Sequence, residues 1–159
     1  MKKILIITIA VLGIILSIPI LNIYGKNNPQ NSSLAGDDLN NNGIRDDVET
    51  YINIKFGYSK KLEKGLNQFA LTVQKGILST NEQDSWIAAN SFSRAMECLS
   101  YLSPDEDYWR NVLEQSVNTP KRVKAWMTHQ ARLSGKVFTS RPIREWKTSC
   151  TFNPDKLSD

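Results

Sequence analysis

The sequence predicts an all-α fold. It should be a small antiparallel bundle of about five helices, stapled by one disulfide and preceded by a loop rich in Asp and Asn. Three observations lead there. Apolar residues recur every three or four positions from Val48 to Met127, and no stretch alternates as a strand does. Helix-start residues stand between the periodic runs, at Ser59, Asn81, Ser103-Pro104 and Thr119-Pro120. The two cysteines, Cys98 and Cys150, are spaced neither as a metal knuckle nor as a CxxC pair.

The chain divides into three parts. In residues 1–25, Lys2 and Lys3 precede an uncharged run from Ile4 to Tyr24. Basic residues before an apolar run mark export. The run has 21 residues, and a bilayer needs about 20. Small residues suited to a signal peptidase are scarce near its end. An uncleaved signal anchor is therefore expected first, with a cleaved signal peptide as the alternative. The lysines should stay in the cytoplasm. The rest would face the periplasm or the exterior, held at the cytoplasmic membrane or released. Residues 26–36, rich in Asn, Ser and Gln, read as a flexible polar linker. Residues 37–159 are the domain. In an oxidising compartment Cys98 and Cys150 should pair.

The helices follow in order. The first leaves the acidic loop at Asp47, carries Val48, Tyr51, Ile52 and Phe56, and can end at Gly57. Ser59 caps the second, whose stripe is Leu62, Leu66, Phe69, Val73 and Ile77. Thr80 or Asn81 opens the third, with Trp86, Ile87, Phe92, Ala95, Met96, Cys98, Leu99 and Leu102. Ser103, Pro104 and Glu106 look like a cap, a first-turn proline and a capping-box acid for the fourth, which carries Trp109, Val112, Leu113 and Val117. Thr119-Pro120 repeats that signal for the fifth, with Val123, Trp126 and Met127 as its apolar positions and an end near Gly135. The tail from Lys136 to Asp159 has little period, though Trp146 suits a short helical turn.

The segment Asp38 to Glu49 carries the clearest chemistry. Asp38, Asn40, Asn42, Gly43 and Glu49 fill D-x-[DN]-x-[DN]-G-x5-E. A calcium ion takes six to eight oxygen ligands in a flexible shell. Asp38, Asn40 and Asn42 can each offer a side-chain oxygen, Ile44 its carbonyl, Asp46 a direct or water-bridged oxygen, and Glu49 both oxygens. One Ca2+ ion is the expected cofactor. The loop resembles those of EF-hands, dockerins and thrombospondin-type calcium repeats. Two features depart from an EF-hand. No apolar period precedes the loop, and Arg45 stands where an aliphatic residue is usual. No second loop is present in the chain, so a paired, opening sensor is not expected. With Asn118-Thr119-Pro120 and Leu133-Ser134-Gly135, the loop also resembles a group of exported bacterial proteins with no assigned activity. That resemblance implies architecture alone.

Charge is unevenly spread. Asp37 to Glu49 sums to −4, and Thr119 to Lys147 to +7. Lys121, Arg122, Lys124, Arg132, Arg141, Arg144 and Lys147 could form a basic face for anionic lipid, cell-wall polymer or an acidic protein. No nucleic-acid motif is present, and none is expected as partner. Trp126 reads as core. His129, the single histidine, reads as a surface residue of the fifth helix. Among Glu82, Asp84, Glu97, Glu106 and Glu114 no spacing singles out a catalytic pair. The expected function is an exported calcium-binding interaction module at the cell envelope. The alternatives are an envelope hydrolase using carboxylates and a purely structural envelope protein.

Overall fold

A computed structural model describes residues 33–159. The expected anchor in residues 1–25, and the linker as far as residue 32, lie outside the described residues. Among the described residues the chain is helical, with no strand. In order these are α1 (Asp46–Phe56), α2 (Lys60–Leu78), α3 (Glu82–Leu102), α4 (Tyr108–Ser116) and α5 (Pro120–Arg132). Two 3-10 helices follow, Ile143–Ser149 and Pro154–Lys156. Among the described residues no helix is long and apolar enough to cross a membrane.

The sequence periods place α2 at the centre, and it touches α1, α3, α4 and α5. Its stripe of Leu66, Phe69, Val73 and Ile77 is buried with Val48, Ile52 and Phe56 of α1 and Val112 of α4. Phe69 lies between Phe92 and Trp109, with ring centroids 5.2 and 6.1 Å away. Burying one such side chain stabilises the fold by about 1.5–3 kcal/mol. Local caps set the starts. Ser59 Oγ accepts from the Leu62 amide, Asn81 Oδ1 from Asp84, and Thr119 Oγ1 from Arg122.

Three expectations are corrected. The Ser103-Pro104 signal builds a turn, and α4 starts at Tyr108. Ser103 is occupied in ending α3, its amide donating to the Leu99 carbonyl at 2.8 Å. Tyr108 then packs on Phe56 at 5.2 Å. The second correction concerns α5. Val123 and Met127 are exposed, and the helix buries Arg122 and His129, with Trp126 packed against the core and Leu133 buried just past its end. Those positions are also spaced four, three and four apart, so the period is helical while two of its members are polar. The third concerns the linker, whose last residues, 33–36, are held on the domain. Leu34 packs on the core, and Gln74 Nε2 donates to the Ala35 carbonyl at 2.7 Å.

The tail is fastened to α3. Cys98 and Cys150 form the expected disulfide. Beside it the buried Glu97 accepts from Ser140 Oγ, the Arg141 amide and Ser149 Oγ, and pairs with Arg94 at 3.0 Å. Burial alone would raise the Glu97 pKa, but these donors and the Arg94 charge hold it below the ordinary glutamate value. Gln68 of α2 donates to the Ser149 carbonyl and accepts from the Thr151 amide. Trp146 does lie in a short 3-10 helix, and its Nε1 donates to the Arg141 carbonyl.

The disulfide closes a sequence separation of 52 residues. Its removal in a Cys98→Ala/Cys150→Ala variant should cost about 4 kcal/mol in urea unfolding, the chain-entropy value for such a loop. Limited proteolysis of the folded variant should still spare the tail, since Glu97 and Gln68 keep their bonds to it.

Candidate functional site

The Asp38–Glu49 loop is built by side chains folding back on its own backbone. Asp38 accepts from the Asn42 and Gly43 amides at 3.0 and 2.8 Å through its two oxygens. Asn40 Oδ1 accepts from the Asn42 amide at 3.0 Å, and Asn42 Oδ1 from the Ile44 amide at 2.8 Å. Asn41 and Gly43 have positive φ, 55° and 85°, which curls the chain between these turns. Asp46 reaches back to the Leu39 amide at 3.1 Å. Glu49, on the first turn of α1, spans the ring. Its two oxygens accept from Asn40 Nδ2 at 2.9 Å and Asn42 Nδ2 at 2.6 Å.

The six sequence-predicted ligands thus lie around one small loop: Asp38, Asn40, Asn42, Ile44, Asp46 and Glu49. The Ile44 side chain is buried and pins the loop to the core. Among the described residues no cation pairs with Asp38, Asp46 or Glu49, and no three His, Cys, Asp or Glu side chains form a metal cluster. A cation here would be held by carboxylates and amide oxygens together. That mixed, all-oxygen set suits a hard ion. Each amide oxygen that accepts one backbone N–H keeps a second lone pair.

Arg45 departs from the loop pattern for a visible reason. Its side chain is only 2% exposed. Nε and Nη2 grip the two oxygens of Asp47 at 2.6 and 2.8 Å. Nη1 donates to the Ser116 carbonyl at 2.9 Å and Nη2 to the Gln115 carbonyl at 3.1 Å. Arg45 therefore caps the C-terminus of α4, where the helix dipole favours a cation. Asn118 joins this group, accepting from Arg122 Nη1 at 2.9 Å and from Arg45 at 3.4 Å. Arg122 is fully buried and also donates to the carbonyls of Ser33 and Leu34. Gly36, at φ 73°, lies on the Arg45 stem; a Cβ there would fall 2.2 Å from Arg45 Cδ. Burial would raise the Asp47 pKa, but the hydrogen bond and charge of Arg45, then Arg122 and Asn118, hold it below the ordinary aspartate value. Burial, and next the Arg45 charge, pull the Arg122 pKa down.

Arg122 therefore leaves the predicted basic face, because its guanidinium is the interior tie for residues 33 and 34. Lys121, Lys124 and Arg132 do come together along one side of α5. Arg141, Arg144 and Lys147 lie apart from them on the tail. Arg141 donates to Thr148, while Arg144 and Lys147 pair with Glu145 and Asp155.

His129 is the other correction. It is 1% exposed and lies against Trp126, with ring centroids 5.0 Å apart and the planes tilted by 33°. Its Nδ1 meets Ser79 Oγ at 3.4 Å. Ser79 Oγ is bound to the Gly76 carbonyl, Ser85 and Arg132. No carboxylate orients the ring among the described residues, so the pair lacks the third member of a nucleophilic triad. Burial, then the charge of Arg132, hold the His129 pKa below the ordinary value. Of the carboxylates considered for catalysis, Asp84 accepts from Thr80 and from the Asn81 side chain at the start of α3, Glu82 pairs with Lys136, and Glu97 is held by Ser140, Arg141, Ser149 and Arg94. No protein-family model matches this sequence, and neither a curated protein nor a solved structure matches it.

Two outcomes follow. Asp47→Ala should cost about 3–5 kcal/mol in urea unfolding, because two buried guanidinium groups lose their shared carboxylate. Asp46→Ala, one residue away, should cost far less without calcium. The second outcome concerns pH. Below the unfolded histidine pKa of about 6.5 the unfolded chain takes up a proton that the buried His129 refuses. The urea midpoint should therefore fall between pH 7 and pH 5, and His129→Asn should flatten that slope. The lowered Asp47 and Glu97 contribute little change within this window, since their share of the stability is lost only as pH falls below the ordinary carboxylate values of about 3.9–4.3.

Proposed function

We propose that this is an exported helical domain that binds one calcium ion as a strut and presents a basic surface to an anionic partner at the cell envelope. One observation carries the calcium reading. The loop carries Asp38, Asp46 and Glu49, and among the described residues no cationic side chain pairs with any of them, while Asn40 and Asn42 have their side-chain oxygens turned to backbone amides of the loop. Asp38, Asn40, Asn42 and Glu49 would hold the ion by side-chain oxygens, Ile44 by its carbonyl, and Asp46 directly or through water. The ion would replace the two amide groups as the positive partner of Glu49. With three carboxylates and two neutral amides, the affinity should fall in the extracellular range of about 10⁻⁴–10⁻³ M. Export is supported by Lys2, Lys3 and the uncharged run after them. The disulfide agrees with an oxidising compartment.

Thermal unfolding of the full chain, first with chelator and then with rising calcium, tests this. A ligand that binds only the folded state adds about 2.7 kcal/mol at a hundredfold excess over its Kd. The melting temperature should rise at about millimolar calcium and should not respond to magnesium. Glu49→Gln should abolish the rise with little effect in chelator. A Glu49→Gln variant that still responds like the parent rejects the assignment.

A further inference from the structure

The outer face of α5 has a composition that the fold does not require. Lys121 and Lys124 point outward from its first two turns. Val123 and Met127 are 44% and 62% exposed beside them. The helix contains no Asp or Glu. A shallow groove of about 270 Å³ runs along the lysine side of the helix, lined by Leu34, Ile77, Lys121, Lys124, Thr128 and Arg132 among others, with Val123 and Met127 outside it. Lys124 and Met127, three positions apart, are neighbours on the exposed side, with Lys121 and Val123 on its two flanks. Cationic and apolar side chains spread over one exposed side of a helix, with no acid among them, suit a membrane interface.

The described chain begins next to these lysines, since Leu34 lines the groove with Lys121 and Lys124, while its own bonds run to the inner side of α5. The Ser33 and Leu34 carbonyls are bonded to Arg122, in the first turn of α5, at 2.9 and 3.3 Å. Only residues 25–32 separate Ser33 from the uncharged run that ends at Tyr24. At about 3.3–3.6 Å per residue, the nine steps from Tyr24 to Ser33 span no more than about 32 Å. A domain held that close meets the bilayer surface at a high effective concentration, so weak contacts suffice.

We propose that the outer face of α5 docks on the anionic phospholipid headgroups of the membrane that holds the N-terminal run. Lys121 and Lys124 meet the phosphates, while Val123 and Met127 enter the interface. Each lysine contributes roughly fivefold to the docked population near an anionic surface. The tether favours lipid over a soluble acidic protein, because it keeps the bilayer close to a chain entry that lies beside Lys121 and Lys124, and no partner needs to be recruited. This inference rests on the reading of Ile4 to Tyr24 as a membrane segment, and is independent of calcium.

The test uses the full chain with its disulfide intact and a Met127→Cys substitution carrying a polarity-sensitive fluorophore. It is reconstituted with chelator into vesicles of phosphatidylcholine alone, or of phosphatidylcholine with phosphatidylglycerol. The emission should shift to the blue in the anionic vesicles only, and a quencher carried on the lipid should reach the probe there. Adding Lys121→Glu and Lys124→Glu should remove both effects while leaving the melting temperature unchanged. Equal emission in the two lipids overturns the proposal. So does a double variant that behaves like its parent, or a response confined to an added soluble polyanion such as polyphosphate. Failure of the chain to co-sediment with either vesicle rejects the membrane reading of the N-terminal run, and docking with it. Co-sedimentation without the lipid-dependent shift rejects docking alone.

Discussion

The fold turns on two buried guanidinium groups and the acceptors that satisfy them. Taking an ion out of water costs several kcal/mol even after relaxation. Arg45 and Arg122 are withdrawn from water while sharing one carboxylate, Asp47. Neutral acceptors supply the rest: the Gln115 and Ser116 carbonyls at the end of α4, the Asn118 side chain, and the Ser33 and Leu34 carbonyls. The consequence is geometric. The exit of the acidic loop, the end of α4, the start of α5 and the chain just before the loop must all meet at one place. Moving any of them strands a charge. Breaking such a group is costly, whereas a well-packed apolar replacement of the whole group need not be. The group is therefore better understood as fixing position than as adding stability.

A second buried carboxylate does the same for the C-terminal segment. That segment has little apolar period, so hydrophobic burial alone gives it no preferred register. Glu97 selects one by accepting from Ser140, the Arg141 amide and Ser149, and Gln68 bonds both sides of Cys150. The disulfide then locks a segment already placed by polar contacts. Both devices use side chains of the helical core to satisfy backbone that no regular element would satisfy.

Helix existence and most starts were legible in the sequence, because a cap is a local event. Ser59, Asn81 and Thr119 each bond an amide three residues on. Ser103 misled because the same residue can end one helix or begin another, and packing of Tyr108 on Phe56 decided which. The inner face of α5 was hidden by hydropathy. Arg122 and His129 score as surface residues, and their partners, Ser33 and Leu34 for the first and Ser79 for the second, are 89, 88 and 50 positions away. A clue was present in the loop. Arg45 replaces an aliphatic residue and has Asp47 two positions on, a pair whose forked geometry favours a shared, sheltered site. Asn118 was visible only as part of a capping phrase, and its bond to both arginines could not be read locally.

The same network decides what kind of calcium site the loop can be. Asp46 bonds the loop at Leu39 while Asp47, its neighbour, holds Arg45. The proposed ion site and the arginine network therefore share the first turn of α1. A switch needs a second packing that lies within reach of the differential binding energy of its ligand. Swinging α1 away would pull Asp47 from two buried arginines, a break of about 3–5 kcal/mol. An ion at ten times its Kd contributes only about 1.4 kcal/mol. That is too little to choose between packings so far apart, but enough to reinforce the one that exists. Calcium in this loop would act as a strut. Its binding energy would pass through the first turn of α1 to the α4–α5 junction, and so to the position of the basic face.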